Sequence, residues 1–365
     1  MLVAVPQTNK NSVIQRTRVS RKWDSPKMER TMRVAFPLVV FAVATMCYGV
    51  ADAAVVKPPP TYLKWHYYRI TNTCLYAEEY VRHQVKLFWD RDRSITAKLL
   101  RLVYSDCFVT GCDASILLDE GPNPEKKAPQ NRGLGGFVVI DKIKDVLESR
   151  CPGKVSCADI LHLATRDAVH LAGGPSYPVL TGRKDSSSTS DAASVDLPSP
   201  SISLQKLLDY FKSRNLNEVH MTTLLGAHTM GRTHCSYIVD RLYNYNGSGK
   251  PDPSMSATLL DSLRKLCPPR KKGQPDPLVY LNPESGSNYN FTESYYRRIL
   301  SNNAVLGVDQ QLLYGNNTKQ ITEEFAVGFE DFRKNFATAM YKMGNFKVLT
   351  GNQGEIRKNC RYTNK

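Results

Sequence analysis

The sequence contains little that indicates β-structure and no internal repeat. Its strand signals are short, such as Val179-Leu180, which argues against sandwiches and barrels. The lack of a repeat excludes solenoids and propellers. Its one long apolar run, residues 34–50, is short for a membrane span. The hydrophobic fraction of 41% excludes a disordered chain, and 365 residues suffice for a large core.

The first 53 residues are typical of a secretory signal behind a basic lead. Residues 1–33 carry eight basic and two acidic side chains, residues 34–50 are apolar, and Ala51-Asp52-Ala53 follows as a small-residue cleavage site. We therefore expect removal of residues 1–53, which leaves residues 54–66 as a proline-rich leader. The alternatives are a start at Met28 or Met32, and retention of the apolar run as an uncleaved anchor.

Acidic residues are scarce relative to basic ones. The chain has 49 Lys and Arg against 34 Asp and Glu, a net charge of +15. From Ala54 onward, 41 basic residues still face 31 acidic ones. Such a surplus favours polyanions, which for a secreted protein are acidic cell-wall polysaccharides rather than nucleic acid. The alternative is that the charge serves solubility alone.

The cysteines are even in number once the signal is removed. Nine are present, and Cys47 lies within the signal. The remaining eight suit four disulfides formed in an oxidising compartment, with 105 pairings open, and the alternative is buried free thiols. Three N-glycosylation sequons also fit secretion: Asn246-Gly-Ser, Asn290-Phe-Thr and Asn316-Asn-Thr.

Apolar residues recur with helical spacing along most of the remaining chain. The predicted helices are 78–88, 94–106, 137–151, 158–172, one capped by Ser203, one capped by Asn217 that runs toward His228, 255–266, 292–301 and 321–342. Long segments rich in Pro, Ser, Asp and Gly separate some of them, at 185–201 and 268–290. The prediction is an all-α fold with very little β, in one domain with two lobes.

Residues 101–115 (RLVYSDCFVTGCDAS) are the most informative stretch. Arg101 and Ser105 are four apart and share one helix face. The loop that follows holds Asp106, Asp113 and Ser115, whose oxygens are the ligands that calcium prefers. The alternative is an ordinary helix end with a charged cap.

Residues 224–235 (LLGAHTMGRTHC) form the second informative stretch. His228 lies after an apolar helix and just before a glycine, where an imidazole can bind a metal or haem iron. The alternative is a structural histidine.

Together the two stretches closely resemble the plant secretory peroxidases. The resemblance covers residues 67–364 and includes the cysteine order and five further blocks: 172–176 (AGGPS), 182–185 (GRKD), 240–244 (DRLYN), 308–312 (VDQQL) and 354–361 (GEIRKNCR). It implies the helical haem peroxidase fold, with haem b between a distal and a proximal lobe. It also implies that His228 is the axial iron ligand, and that Asp309 accepts the other ring N–H of His228.

The resemblance implies further site residues. The distal calcium ligands would be Asp106, Val109, Gly111, Asp113 and Ser115. Glu125 and Asn131 match the distal hydrogen-bond network, and Pro198 matches the proline beside the entrance for aromatic donors. The implied disulfides are Cys74–Cys151, Cys107–Cys112, Cys157–Cys360 and Cys235–Cys267.

The sequence departs from the family pattern at the distal helix, where RLVYSDCF stands for RLHFHDCF. Ser105 replaces the histidine that moves a proton between the two oxygens of peroxide, and a hydroxyl is too weak a base for this. Arg101 remains to stabilise charge, while Asn131 loses the histidine it orients. Tyr104 replaces a phenylalanine and offers a phenol hydrogen bond or an oxidisable ring, the alternative being a conservative aromatic exchange.

The proximal calcium site departs as well. Thr229 matches one ligand, but Asn282, Ser285 and Thr292 stand at the downstream positions, where the first and last are usually acidic. Loss of two carboxylates predicts weak calcium binding there.

The function expected from the resemblance is that of a secreted, extracellular or cell-wall peroxidase. It would be a monomer that uses hydrogen peroxide to oxidise phenolic donors, slowed by the loss of the distal histidine. The alternatives are a haem-binding pseudoperoxidase with a binding role at the cell wall, and a polyanion-binding protein with a structural haem.

Overall fold

Helices account for most of the chain that the computed structural model describes, residues 62–269 and 273–364. The α-helices there are α1 Tyr67–Ile70, α2 Ala77–Arg91, α3 Ile95–Cys107, α4 Phe137–Arg150, α5 Cys157–Leu171, α6 Leu204–Lys212, α7 Glu218–Leu225, α8 Val239–Tyr243, α9 Ala257–Leu266, α10 Ser294–Leu300, α11 Gly307–Gln310, α12 Asn316–Val327 and α13 Phe329–Gly344. The strands there are β1 Lys64–Trp65, β2 Leu180–Thr181, β3 Arg232–His234 and β4 Leu278–Tyr280. The predicted all-α class with very little β is confirmed.

The predicted signal, residues 1–53, and the leader up to residue 61 lie outside the described residues. The leader's last residues, 62–66, include β1, which pairs antiparallel with β2 through Lys64 opposite Thr181 and Trp65 opposite Leu180. Within the described residues, no helix is both long and apolar enough to cross a membrane. The domain boundaries at residues 53 and 66 therefore stay predictions.

Most helix bounds follow the apolar spacing to within two residues, but the predicted helix 321–342 is wrong. The chain forms α12 and α13 there, separated by Gly328, which leaves the helical conformation at φ −105° and ψ 74°. A Cβ at Gly328 would lie 2.9 Å from the carbonyl oxygen of Glu324, closer than side chains tolerate. Glycine therefore permits the close turn between the two helices.

The two predicted helix caps have different outcomes. Asn217 caps α7 as predicted, because its side chain accepts from the backbone N–H of His220 while the His220 ring accepts from the N–H of Asn217. Ser203 lies at the N-cap position of α6, but its side chain makes no capping hydrogen bond. The predicted position of Ser203 is therefore confirmed, but the capping hydrogen bond is not formed.

The helices pack in two groups, each around buried apolar side chains. Helices α2, α3, α4 and α5 pack on one another, and almost all of α5 is buried. Helices α7, α10, α12 and α13 form the second group, in which Phe291 stacks on Phe332 with ring centres 4.7 Å apart. The first group carries the predicted distal residues, and the second lies beside the predicted proximal ones.

Four disulfides fasten the described chain: Cys74–Cys151, Cys107–Cys112, Cys157–Cys360 and Cys235–Cys267. These are the four pairs that the resemblance implies. The buried Arg357, three residues before Cys360, donates from Nη2 to the carbonyl oxygen of Ala114 at 2.6 Å. The C-terminal segment is thus joined to the loop that follows α3.

Candidate active site

Helix α3 carries Arg101 and Ser105 one turn apart, as the spacing predicts. Ser105 is fully buried, and its Oγ has no hydrogen-bond partner among the described residues. Arg101 is exposed and donates from Nη2 to the backbone oxygen of Gln130 at 2.7 Å. The helix therefore holds a cation near a buried hydroxyl that does not contribute a hydrogen bond to the fold.

Asn131 lies in the short 3₁₀ helix Pro129–Asn131, immediately after Gln130. Its Nδ2 donates to the backbone oxygen of Glu125 at 2.8 Å, while its Oδ1 is buried without a partner in the described chain. One end of the amide is thus fixed and the other end is an unused acceptor. A histidine N–H at position 105, which the resemblance would lead one to expect, is absent.

Three buried carboxylates lie at the C-terminal end of α3 and in the segment that follows it: Asp106 on the last turn of the helix, Asp113 in the loop and Glu125 in the 3₁₀ helix Glu125–Lys127. Asp106 Oδ1 and both oxygens of Glu125 have no hydrogen-bond partner within the described residues. Burial raises the pKa of all three, that of Glu125 to about 7, and the neighbouring charges raise the pKa of Asp106 further. Buried carboxylates with unused oxygens fit a bound cation.

The remaining predicted distal ligands lie within the same loop. Ser115 Oγ is 3.3 Å from Thr110 Oγ1, and Ser115 donates its backbone N–H to Asp113 Oδ1 at 3.1 Å. Val109 and Gly111 offer backbone carbonyls there. Gly111 has φ +133°, and a Cβ at this position would collide with the carbonyl oxygen of Lys347, so only glycine fits.

His228 lies in the 3₁₀ helix Gly226–Thr229 that continues from α7. Its Nδ1 is 2.8 Å from Oδ1 of Asp309, on α11. An ionised carboxylate only accepts, so Nδ1 is the donor in this contact, and in the neutral imidazole Nε2 is left with its lone pair. Nε2 has no hydrogen-bond partner in the described chain, and the His228 side chain is 31% exposed. These are the properties of an imidazole that binds haem iron.

Tyr295, on α10, is a site residue that the sequence reasoning missed. Its hydroxyl donates to the same Asp309 oxygen at 2.8 Å, and burial together with the Asp309 charge raises the pKa of Tyr295 well above its ordinary value. Asp309 is therefore held by two donors. No local sequence signal marks this bond, because it joins two helices that only the tertiary fold brings together.

Pro198 and Tyr104 are two further residues that the sequence singled out. Pro198 is half-buried in the loop before α6, and its role beside the donor entrance stays a prediction. Tyr104 packs on Phe108 with ring centres 4.6 Å apart, and the Arg101 guanidinium carbon lies 5.1 Å from the Tyr104 ring centre. Among the described residues, no hydrogen bond joins Arg101, Ser105 or Asn131 to the His228–Asp309 pair.

The helical fold and the His228–Asp309 pair agree with what the resemblance to haem-dependent oxidoreductases implies. The model of the family described as Peroxidase matches residues 81–328. The chain belongs to the peroxidase family, among the plant secretory peroxidases, and is a peroxidase enzyme.

Several curated relatives are similar over most of their length. Probable peroxidase 26 of Arabidopsis thaliana is 67% identical over 315 residues, which cover 86% of this chain and 93% of the relative. Probable peroxidase 61 of Arabidopsis thaliana is 64% identical over 331 residues, covering 90% and 97%. The lignin-forming anionic peroxidase of Nicotiana tabacum is 40% identical over 296 residues, covering 80% and 90%.

Proposed function

We propose that the protein is a secreted peroxidase that oxidises phenolic donors with hydrogen peroxide, and that Ser105 makes its peroxide activation slow. The observation that carries the proposal is the unused pair of polar atoms on the distal side. Ser105 Oγ is buried without a partner, and so is Asn131 Oδ1, although Nδ2 fixes the amide. The supporting residues for a distal histidine are thus retained while the base itself is missing.

Haem b is the proposed cofactor, with His228 Nε2 as its axial ligand. When bound, haem supplies the two-electron reduction of peroxide and the one-electron oxidation of donors. Asp309 holds the proton on Nδ1 and makes the imidazole more electron-donating, and Tyr295 fixes the Asp309 carboxylate. Two hydrogen bonds therefore set the orientation of the His228 ring: the one from His228 to Asp309 and the one from Tyr295 to Asp309.

Of the two distal residues on α3, only Arg101 can assist peroxide activation. The Arg101 guanidinium can stabilise negative charge on the departing oxygen. Ser105 cannot take a proton from peroxide and return it, and loss of such a group typically costs about 10²–10⁴ in rate. We therefore expect Arg101 to stabilise charge during peroxide cleavage, while no residue at position 105 transfers the proton.

Calcium is the proposed second cofactor, held in the distal loop by Asp106, Asp113, Ser115 and the carbonyls of Val109 and Gly111. The unpartnered oxygens of Asp106 and Glu125 support this assignment. Secretion is part of the same proposal and is supported by the four disulfides, while retention by acidic cell-wall polysaccharide is supported by the basic surplus. The monomeric state is proposed from the family resemblance alone.

A second candidate is a haem-binding pseudoperoxidase that has a binding role at the cell wall. The buried, unpartnered Ser105 hydroxyl favours it, because nothing at that position acts as a base. This candidate predicts haem binding without useful turnover of phenolic donors.

Stopped-flow absorbance tests the proposal. Haem-loaded wild type is mixed with hydrogen peroxide beside Ser105→His, with Ser105→Ala as the matched control that removes the hydroxyl and adds no base. We expect Ser105→His to react about 10²–10⁴ times faster than wild type, and Ser105→Ala to react like wild type. A wild type that is as fast as Ser105→His contradicts the proposal. Phenol oxidation that is undetectable in wild type but present in Ser105→His favours the second candidate.

A further inference from the structure

A hydrogen-bond network lies directly beside His228, at the residues that the resemblance assigns to a proximal calcium. Thr229, Asn282 and Ser294 are buried, and Thr292 is half-buried. Asn282 Nδ2 donates to Thr229 Oγ1 at 3.2 Å and to Ser294 Oγ at 2.7 Å. Thr229 Oγ1 in turn donates to the backbone oxygen of Thr292 at 2.8 Å. The four residues therefore form one connected polar cluster.

Every side-chain polar atom of these four residues has a partner inside the cluster or next to it. The hydroxyls of Thr292 and Ser294 are 2.7 Å apart, and Asn282 Oδ1 accepts the backbone N–H of Glu284 at 3.3 Å. Ser285 Oγ donates to the backbone oxygen of Asn290 at 2.8 Å. The cluster thus lacks the unpartnered oxygens that mark the distal loop.

The orientation of the Asn282 amide opposes cation binding. Its oxygen faces a backbone N–H, so its NH₂ group, which carries two donors, faces the Thr229 and Ser294 hydroxyls. A calcium ion needs six to eight oxygen lone pairs directed at one point. Here donor hydrogens occupy that place, and none of the four residues is a carboxylate.

We infer that this neutral hydrogen-bond network replaces the proximal cation, so that the half of the site next to His228 is held together without metal. The inference goes beyond the proposed function and does not depend on the rate of peroxide activation. It limits the protein to one calcium ion per chain. It also makes the segment after His228 insensitive to chelators, because Thr229 is tied to the 282–294 loop by uncharged groups.

Metal content tests the inference on the full haem-loaded protein. Wild type and Asp113→Asn are equilibrated with calcium, desalted and analysed for bound calcium. We expect at most one ion per chain in wild type and less in Asp113→Asn. A wild type that retains two ions overturns the inference. An ion-free wild type supports it, while contradicting the separate proposal for the distal loop.

A gain-of-site variant gives a second test. Asn282→Asp combined with Thr292→Asp supplies two carboxylates, and we expect it to bind one more calcium ion than wild type and to gain thermal stability on calcium addition. Asn288→Asp, an exposed position on the same loop, is the matched control and should behave like wild type. If the double variant does not fold, calorimetric calcium titration of wild type decides, since a second tight site there overturns the inference.

Discussion

The distal loop, residues 106–125, and the proximal loop, residues 282–294, satisfy their buried polar atoms in opposite ways. The distal loop holds three buried carboxylates, and several of their oxygens have no partner within the described chain. The proximal loop holds amide and hydroxyl groups that bind one another. Buried charge requires a ligand, whereas buried neutral groups can complete their hydrogen bonds within the fold. The two loops thus depend on calcium to different degrees.

The largest expected difference concerns one glycine in each loop. Gly111→Ala should lower the free energy of unfolding by about 3 kcal/mol or more, because its Cβ meets the Lys347 backbone. Gly286→Ala should cost only about 1 kcal/mol, since φ is +48° there and nothing lies within 4 Å of the added Cβ. Denaturant unfolding of both variants measures this, and equal losses would contradict the described packing of the distal loop.

The second difference is a pH dependence that calcium removes. In calcium-free protein, burial raises the pKa of Glu125 from 4.5 to about 7 and also raises that of Asp106 and Asp113. Between about pH 4.5 and pH 7, the unfolded chain releases protons that the carboxyl groups of the folded chain retain. The free energy of unfolding should therefore fall as pH rises from about 4.5 to about 7, by on the order of 2 kcal/mol.

Chemical denaturation at pH 5 and pH 8, with and without calcium, measures this fall. Calcium binds the ionised carboxylates and should abolish it, and Glu125→Gln should reduce it in the calcium-free protein. A calcium-free protein that is more stable at pH 8 than at pH 5 would show that the cluster does not control stability.

The smallest effect belongs to the proximal loop. Ser294→Ala removes one acceptor of Asn282 and should cost about 1 kcal/mol, equally with calcium and with chelator. Ser287→Ala, at an exposed position of the same loop, is the control and should cost close to nothing. Thermal unfolding in both buffers measures the effect. A loss that appears only after chelation would mean that a cation holds this loop.

Much of the architecture could be predicted from sequence, because local patterns carry it. The four-residue spacing of Arg101 and Ser105 predicts one helix face, and the structure places both on α3. The apolar spacing also predicts one helix across Gly328, where the chain forms two. A pattern of side chains does not reveal how closely two backbones approach, and that approach decides the break at this glycine.

The candidate site was predictable only in part, for a similar reason. The sequence shows that positions 282 and 292 lack carboxylates, but it does not show the direction of the Asn282 amide. Tyr295 was missed because its partner, Asp309, lies 14 residues away on another helix. Hydrogen bonds between elements depend on the final packing, which one sequence does not specify residue by residue.

The bond between Arg357 and Ala114 has a consequence for the order of events during synthesis. It joins residues 243 positions apart, so the loop after α3 leaves the ribosome long before the arginine that fastens it. Chains are made from the N-terminus at about 5–20 residues per second. A nascent chain that stops short of Arg357 carries every proposed distal calcium ligand, yet lacks the buried guanidinium that closes their loop.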